Sequence, residues 1–439
     1  MTIELPRGEP VPLADAASSW PGGPGGGGPN WSELTRRIWF TLGALVVYRL
    51  GTYIPIPGID VLLLADMFRQ QAGGILGVFD MFAGGALGRV TILALGLMPY
   101  ISVAILVLLL TAFSRRLKAL EKQGEEGRKK IYQYTRHGTV LLCLVQSYGI
   151  AVGLEGAGGG IVPDPGLQFR VSTMLTLTAG TVFLMWLGEQ ITQRGVGNGI
   201  ALIIFAGIVA NLPAAVAGTL ELGRTGALST ALILGLMVLS VAEIAFIVFM
   251  ERAQRRVIVQ YPKRQVGTRM FGGEASHLPL KLNTAGVIPP IFASSLLLMP
   301  LTMAEFASGG GPEWTMAFGR SQPLYLAIYI ALIAVFAFVY TRIVFNPADT
   351  AKNLESHGGF IPGVRPGRNT KDYLSRVLTR LTTIGAAYLA LICLLPEILI
   401  SNFAVPFYFG GTSLLIVVVV TMDTVGQIHS HLLVARRRG

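Results

Sequence analysis

The chain has 439 residues, of which 52% are hydrophobic and only 13% charged, and its formal net charge at pH 7 is +11. Soluble globular proteins carry about a quarter charged residues, so this chain cannot cover itself with a water-facing surface. The composition excludes a soluble fold and predicts a membrane protein. Two cysteines, Cys143 and Cys393, lie in apolar segments and predict neither a disulfide framework nor a zinc site.

The first 32 residues differ in composition from the rest. Their centre, from Pro21 to Pro29, consists of glycine and proline, and the segment contains almost no aliphatic run. Such a composition cannot bury enough apolar surface to order itself, so residues 1–32 are predicted to be a disordered arm. The arm lacks the basic start and apolar stretch of a signal peptide.

Ten later segments have the length and apolar composition of a membrane-spanning helix, which needs ~20 residues. They are 38–56, 90–113, 137–154, 172–191, 199–219, 228–250, 284–303, 323–345, 378–400 and 409–428. Ten spans divide into two halves of five, 33–220 and 228–431, that would enter the membrane in opposite orientations. The predicted fold is therefore an all-α polytopic membrane protein with ten transmembrane helices in two inverted halves.

Basic residues are concentrated in every second connection. The connections 114–136, 251–283 and 342–380 hold eight, seven and seven of the 35 Lys and Arg residues, whereas the alternate connections hold few. Because basic loops remain in the cytoplasm, both termini are predicted there, including the basic tail 432–439. Two long cytosolic loops, 251–283 and 346–377, follow from this orientation.

Three features between or within the predicted spans are unusual. The apolar segment Gly73–Arg89 is too short to span and has glycine pairs near both ends. It fits either a short helix on glycine hinges, folded back among the spans, or an interfacial helix. Pro99 is predicted to bend the second span, where Leu97 and Ile101 share a face. The polar residues of three spans, Ser102, Gln146 and Asn283, fit static hydrogen bonding between helices or a latch that opens.

Catalytic motifs are missing from the sequence. It has no GxxxxGK[ST], HExxH or GxSxG, so neither an enzyme nor a cofactor or metal site is predicted. An ion-coupled transporter would need ionisable residues near mid-membrane, and the candidates are Arg49, Glu189, Glu243 and Asp423. Arg49 and Glu243 are predicted well inside a span, and none of the four has an obvious partner.

The loop HGGFIPGVRPGRNT, residues 357–370, lies between two apolar segments. Its glycines and prolines disfavour both helix and strand, so we expect a shaped, basic loop in water.

Several stretches of the sequence, in the same order along the chain, resemble the SecY family, the channel subunit of the bacterial Sec translocase. They are YIPIPGID, MFAGGALGRVTILALGLMPYIS, EEGRKKIYQYTR, WLGEQIT, GVGNGIALIIFAGIVA, PLKLNTAGVIPPIFASS, GGFIPGVRPG and PFYFGGTSLLIVVVV. The resemblance extends from about residue 34 to 431. It implies two five-helix halves around a pore that opens sideways into lipid between spans 2 and 3 on one half and 7 and 8 on the other.

The resemblance also assigns site residues by motif. The pore constriction is implied to be a ring of five aliphatic residues, Leu97, Ile101, Ile204, Ile291 and Ile416. A plug helix, about 73–87, would face the pore with Phe79, Met81 and Phe82. Ser102, Gln146 and Asn283 match the polar cluster of the lateral gate, which favours the latch interpretation.

The resemblance implies partners in the cytosol and within the membrane. The cytosolic loops would dock the motor ATPase SecA or the ribosome through Arg255, Arg256, Lys263, Arg264 and Arg365. SecE and SecG would be partner subunits in the bacterial inner membrane, and secretory and membrane proteins would be the clients. An alternative for the basic residues is that they only set topology and bind anionic lipids. The other open functions are a secondary transporter and a membrane-bound enzyme.

Overall fold

The computed structural model describes residues 31–64, 83–156, 160–226, 229–261, 264–266, 269–271, 275–297, 323–403 and 411–437. Twelve helices can be traced in these ranges. They are α1 (Trp31–Gly51), α2 (Met98–Phe113), α3 (Arg115–Lys122), α4 (Glu125–Gly156), α5 (Leu167–Arg194), α6 (Gly199–Arg224), α7 (Thr230–Arg252), α8 (Ile288–Leu297), α9 (Pro323–Val344), α10 (Pro347–Ser356), α11 (Arg368–Phe403) and α12 (Thr412–Arg437).

Each of the ten segments predicted to span the membrane overlaps one of these helices. By length and composition, seven helices in the described part of the chain can cross a membrane, and an eighth span results if α2 and α3, which meet at a sharp bend, are counted together. The all-α polytopic architecture predicted from the sequence is therefore confirmed.

Several helix starts are fixed by side-chain caps. The Asn198 side chain accepts hydrogen bonds from the N–H groups of Ile200 and Ala201 at the start of α6, and Ser229 accepts one from Leu232 at the start of α7. The first N–H groups of a helix have no partner within it, so these caps satisfy donors that hydrocarbon could not.

The second span begins later than predicted, and the predicted bend at Pro99 is wrong. Residues 83–97 form turns, with Gly96 in the left-handed region at φ 56°, and α2 begins only at Met98. Pro99 is thereby in the first helical turn, where its missing N–H breaks no intrahelical hydrogen bond. The proline starts this helix and does not kink it.

Two connections that are separate in sequence form one body, which we call the loop unit. Strand β1 (Gln254–Gln260) pairs antiparallel with β4 (Ala275–Lys281), and the short strands β2 (Arg264–Val266) and β3 (Arg269–Phe271) pair between them. Gln260 and Phe360 exchange backbone hydrogen bonds of 2.9 and 3.0 Å, which join β1 to the loop after α10. The loop unit comprises β1–β4, α10, residues 357–367 and the start of α11.

The loop unit has its own apolar core, distinct from the main core among the spans. Its buried members are Val257, Val259, Leu280, Leu354, Ile361, Leu374, Val377 and Leu381. The hairpin was not predicted, although exposed and buried residues alternate along QRRVIVQ in the period of a strand with one buried face. Apolar burial therefore holds the two basic connections together.

We expect Leu374→Ala to destabilise the loop unit by about 2–5 kcal/mol, because Leu374 is fully buried (0% exposed) and its truncation leaves a cavity. Hydrogen exchange of the full-length protein should show faster exchange of the β1 and β4 amides, with the α5 amides unchanged. The exposed neighbour Ser375→Ala is the matched control. Unchanged exchange in β1 would show that this core does not support the hairpin.

Candidate functional site

The five predicted ring residues come from separate parts of the chain. Leu97 precedes α2, Ile101 lies in α2, Ile204 in α6, Ile291 in α8 and Ile416 in α12. All five are buried, and all belong to the one contiguous apolar cluster that forms the main core. The fold therefore gathers aliphatic side chains from both halves of the sequence into a single apolar region.

Such a region can form a constriction with useful chemistry. Aliphatic side chains offer an extended peptide no fixed hydrogen bond, and a narrow apolar passage resists ions because it dewets.

The predicted plug can be followed only at its end, since Phe79, Met81 and Phe82 lie outside the described residues. From Ala83 the chain forms turns and not a helix, with Gly84 and Gly85 at φ values of 72° and 80°. Ala83 and Leu87 are buried in the main core. This end of the segment is thus packed among the spans.

The three polar residues predicted at the lateral gate do not bond to one another in the described part of the chain. The Asn283 amide donates to Glu251 Oε1 at 2.6 Å and to the Gly286 carbonyl at 3.1 Å, while its Oδ1 accepts from the Gly286 N–H. Ser102 is half-buried on α2. Gln146 is buried on α4, and its Oε1 has no hydrogen-bond partner among the described residues.

Glu251, at the end of α7, was not identified from the sequence as a partner of Asn283. Nothing in the local pattern pairs two residues 32 positions apart. The only available signal was that an acid stands at the edge of a strongly basic connection. The bond fixes the approach to α8 against the end of α7.

Three of the four ionisable transporter candidates have partners that were not obvious from the sequence. Arg49 lies in the last turn of α1, not well inside a span, and donates to the Gly84 carbonyl at 2.7 Å. Glu189 forms an ion pair of 3.1 Å with Arg136. Glu243 accepts a hydrogen bond of 3.1 Å from the Gly411 N–H. Asp423 is exposed on α12.

The predicted docking residues lie in the loop unit. Arg255 and Arg256 are exposed on β1, and Arg365 is exposed in the loop before α11. Arg264 begins β2, and Lys263 lies outside the described residues. Gly358, Gly363 and Gly367 all have positive φ, between 73° and 89°, which confirms the prediction of a shaped loop here.

Comparisons with known proteins identify the family. The SecY family model matches residues 91–425. The chain is 52% identical over 405 residues to the protein translocase subunit SecY of Escherichia coli strain K12, covering 91% of both chains. The family is shown by these matches. The chain belongs to the SecY family.

Further SecY relatives match over similar lengths. The Vibrio cholerae protein is 52% identical over 410 residues, covering 92% of both chains. The Rickettsia conorii protein is 49% identical over 414 residues, covering 93% of this chain and 96% of the relative. Together with the apolar helices, these matches make the chain a multi-pass membrane protein of the SecY family.

Solved structures share the SecY-type fold. One, described as a protein conducting channel, gives a TM-score of 0.62 at 18% identity and covers 97% of this chain and 98% of the other. Sec61 in a canine ribosome-channel complex gives a TM-score of 0.58 at 17% identity with the same coverage. At this identity the likeness shows the fold.

A double-mutant cycle tests the Asn283–Glu251 contact. We expect Asn283→Ala and Glu251→Ala to be coupled by about 1.5–3 kcal/mol, because a short, partly buried hydrogen bond to a carboxyl group is removed by either change. Equilibrium denaturation in detergent micelles measures the coupling. Asn283→Ala combined with Glu221→Ala is the control, since the exposed Glu221 pairs with Arg224 instead. Additive effects of the first pair would contradict the contact.

Proposed function

We propose that this chain is the pore-forming subunit of a protein-conducting channel that passes unfolded secretory polypeptides across the cytoplasmic membrane. The observation that carries the proposal is the burial of five aliphatic residues from separate elements in one apolar cluster. Relatives that are protein translocase subunits, and the fold of a protein conducting channel, support it. By family the chain is a channel subunit, so energy for transport comes from partners.

The proposed ring suits this task because its side chains have no polar group that would bind a translocating chain. A translocating chain presents every kind of side chain, and a polar constriction would bind some of them. Leu97, Ile101, Ile204, Ile291 and Ile416 offer only flexible apolar surface, which closes around any sequence and excludes ions when empty. In this proposal Phe79, Met81 and Phe82 of the plug complete the closure.

Lateral release requires that α2 and α8 separate. A hydrogen bond from Ser295 Oγ to Met98 Sδ, 3.7 Å long, connects the two helices. A thioether sulfur is a weak acceptor, so this contact is readily exchanged. The proposed gate residues Ser102 and Gln146 lie on α2 and on α4, which packs against α2. An arriving apolar segment would replace these contacts and leave into lipid.

The loop unit is the proposed docking surface for SecA or the ribosome. Arg255, Arg256 and Arg365 are exposed there, Arg264 begins β2, and Lys263 directly precedes Arg264 in the sequence. Guanidinium groups bind phosphates and acidic protein patches through charge-assisted hydrogen bonds. The proline and glycine residues that shape the loop around Arg365 are not needed for setting topology or for binding anionic lipids alone.

The assembly and location follow the same proposal. The chain would lie in the bacterial inner membrane with its two halves, 33–220 and 228–431, closed at the back by SecE and accompanied by SecG. The concentration of basic residues in every second connection supports a cytoplasmic position for both termini. Anionic lipids would neutralise part of the positive surface.

A photocrosslinking residue at Ile204 should form an adduct with a secretory precursor stalled halfway across native membranes. Ile204 is 5% exposed within the apolar cluster, whereas the control position, Val335 on α9, is 54% exposed and should give no adduct. The adducts are detected by electrophoresis after irradiation. Absence of an adduct at Ile204, with precursor demonstrably stalled on this protein, would contradict the pore assignment and favour a solute transporter.

Replacing Arg365 by Glu should weaken binding of SecA or ribosomes to vesicles about 10- to 100-fold, because a charge-assisted contact is lost and a repulsive charge is added. Binding is measured by flotation at fixed salt. Arg224→Glu is the control, since Arg224 is also exposed but lies at the predicted outer end of α6. If the Arg365→Glu and Arg224→Glu variants both bound the partner as tightly as the wild type, the loop would not dock partners through Arg365.

A further inference from the structure

Two arginines converge on one tyrosine near the end of α1. The guanidinium carbon of Arg89 lies 4.2 Å from the centroid of the Tyr53 ring, and that of Arg49 lies 5.2 Å from it. Arg49 also donates to the Tyr53 hydroxyl at 3.3 Å. We call these three residues the clamp.

The clamp binds the backbone of two consecutive glycines. Arg49 Nη1 donates to the Gly84 carbonyl at 2.7 Å, and Arg89 Nε donates to the Gly85 carbonyl at 2.9 Å. Charge-assisted hydrogen bonds of this length are strong, and each satisfies a carbonyl that no helix serves. The two positive charges of Arg49 and Arg89 therefore lie close together, and both stabilise the same short turn.

The same turn is pressed against α6. A methyl group added to Gly84 would lie 3.0 Å from Gly207 Cα, and one added to Gly207 would lie 2.9 Å from the Tyr48 hydroxyl. Tyr48 in turn donates to the Ala83 carbonyl at 3.4 Å. The backbones of the turn and of α6 therefore touch, with α1 closing the third side.

Both partners in this contact lead directly to ring residues. Gly207 is one helical turn beyond Ile204 on α6. The turn continues through residues 86–97, which are tied to the chain after α1 by hydrogen bonds of 3.1 Å from Ile56 to Val90 and 3.0 Å from Ile92 to Ile54. It ends at Leu97, whose carbonyl accepts from Ile101 at 3.0 Å.

We propose that Arg49, Tyr53 and Arg89 are positioning residues that hold the loop 83–97 against α6, and so keep Leu97 and Ile101 in register with Ile204 when the pore is at rest. The inference rests on the proposed function and adds to it a device outside the ring itself. Loss of the clamp would leave the ring intact in composition but misaligned. The resting channel would then leak ions.

The test uses the purified channel with its partner subunits in lipid vesicles, with chloride efflux as the measure of the resting leak. Arg89→Gln should raise the efflux about 10- to 100-fold, the effect of losing one charge-assisted hydrogen bond on a closed–open equilibrium. Gly207→Leu should raise the efflux by a different route, because its side chain would clash with Tyr48 and Gly84 and separate the loop from α6. Arg89→Lys retains the charge and a donor and should restore much of the seal.

Two control substitutions match the test variants. Gly218→Leu lies on the same helix as Gly207, but nothing lies within 4 Å of an added methyl group there. Arg224→Gln removes an exposed guanidinium that pairs only with Glu221 among the described residues. Both should remain as tight as the wild type, and all variants should translocate a precursor. A merely structural role would lower the yield of assembled complex without raising the efflux per complex.

The outcomes separate the two proposals. If vesicles with Arg89→Gln and Gly207→Leu are as tight as the wild type while precursor is translocated, the clamp proposal fails and the channel function stands. If Gly207→Leu does not assemble, Arg89→Gln against Arg89→Lys decides the result alone. If wild-type vesicles translocate no precursor, the proposed function fails and the clamp proposal fails with it.

Discussion

Hydrocarbon offers the polypeptide backbone no hydrogen bonds, and this constraint determines how the rest of the chain is arranged. Helices satisfy their own backbone, so they can face lipid. The turns between residues 83 and 97 cannot, and they are buried among the spans. Side chains of Tyr48, Arg49 and Arg89 supply donors to three successive carbonyls there. The polar residues near these turns are therefore explained by the backbone that they serve.

The molecule has two apolar cores, one among the spans and one in the loop unit that carries the exposed arginines. The main core contains the five aliphatic residues that we propose as the pore ring. The loop unit holds its exposed arginines on a small apolar core of its own, to which the first turns of α11 contribute. This separation lets a strongly basic surface exist on a chain in which only 13% of the residues are charged.

The length of the apolar segments predicted the helices well, because it can be read from composition alone. The start of α2 was misplaced because the apolar run from residue 90 continues through turns that composition cannot distinguish from a helix. No partner of Arg49 was evident from the sequence because its partner is the carbonyl of Gly84, and a backbone carbonyl has no signature in sequence. The Asn283–Glu251 pair was missed because it is a tertiary contact. The ring residues came from a family resemblance, and periodicity alone would have left them as ordinary packing.

Helix α11 belongs to both cores. Its first turns place Leu374, Val377 and Leu381 in the core of the loop unit, and further along Leu389 and Ile392 lie in the main core. The helix is continuous between the two cores, and at about 1.5 Å per residue the segment from Leu381 to Leu389 spans about 12 Å. A force applied to the loop unit would therefore be transmitted along α11 to the main core. The helices α7, α8 and α9, which adjoin the loop unit in the chain, would share this load.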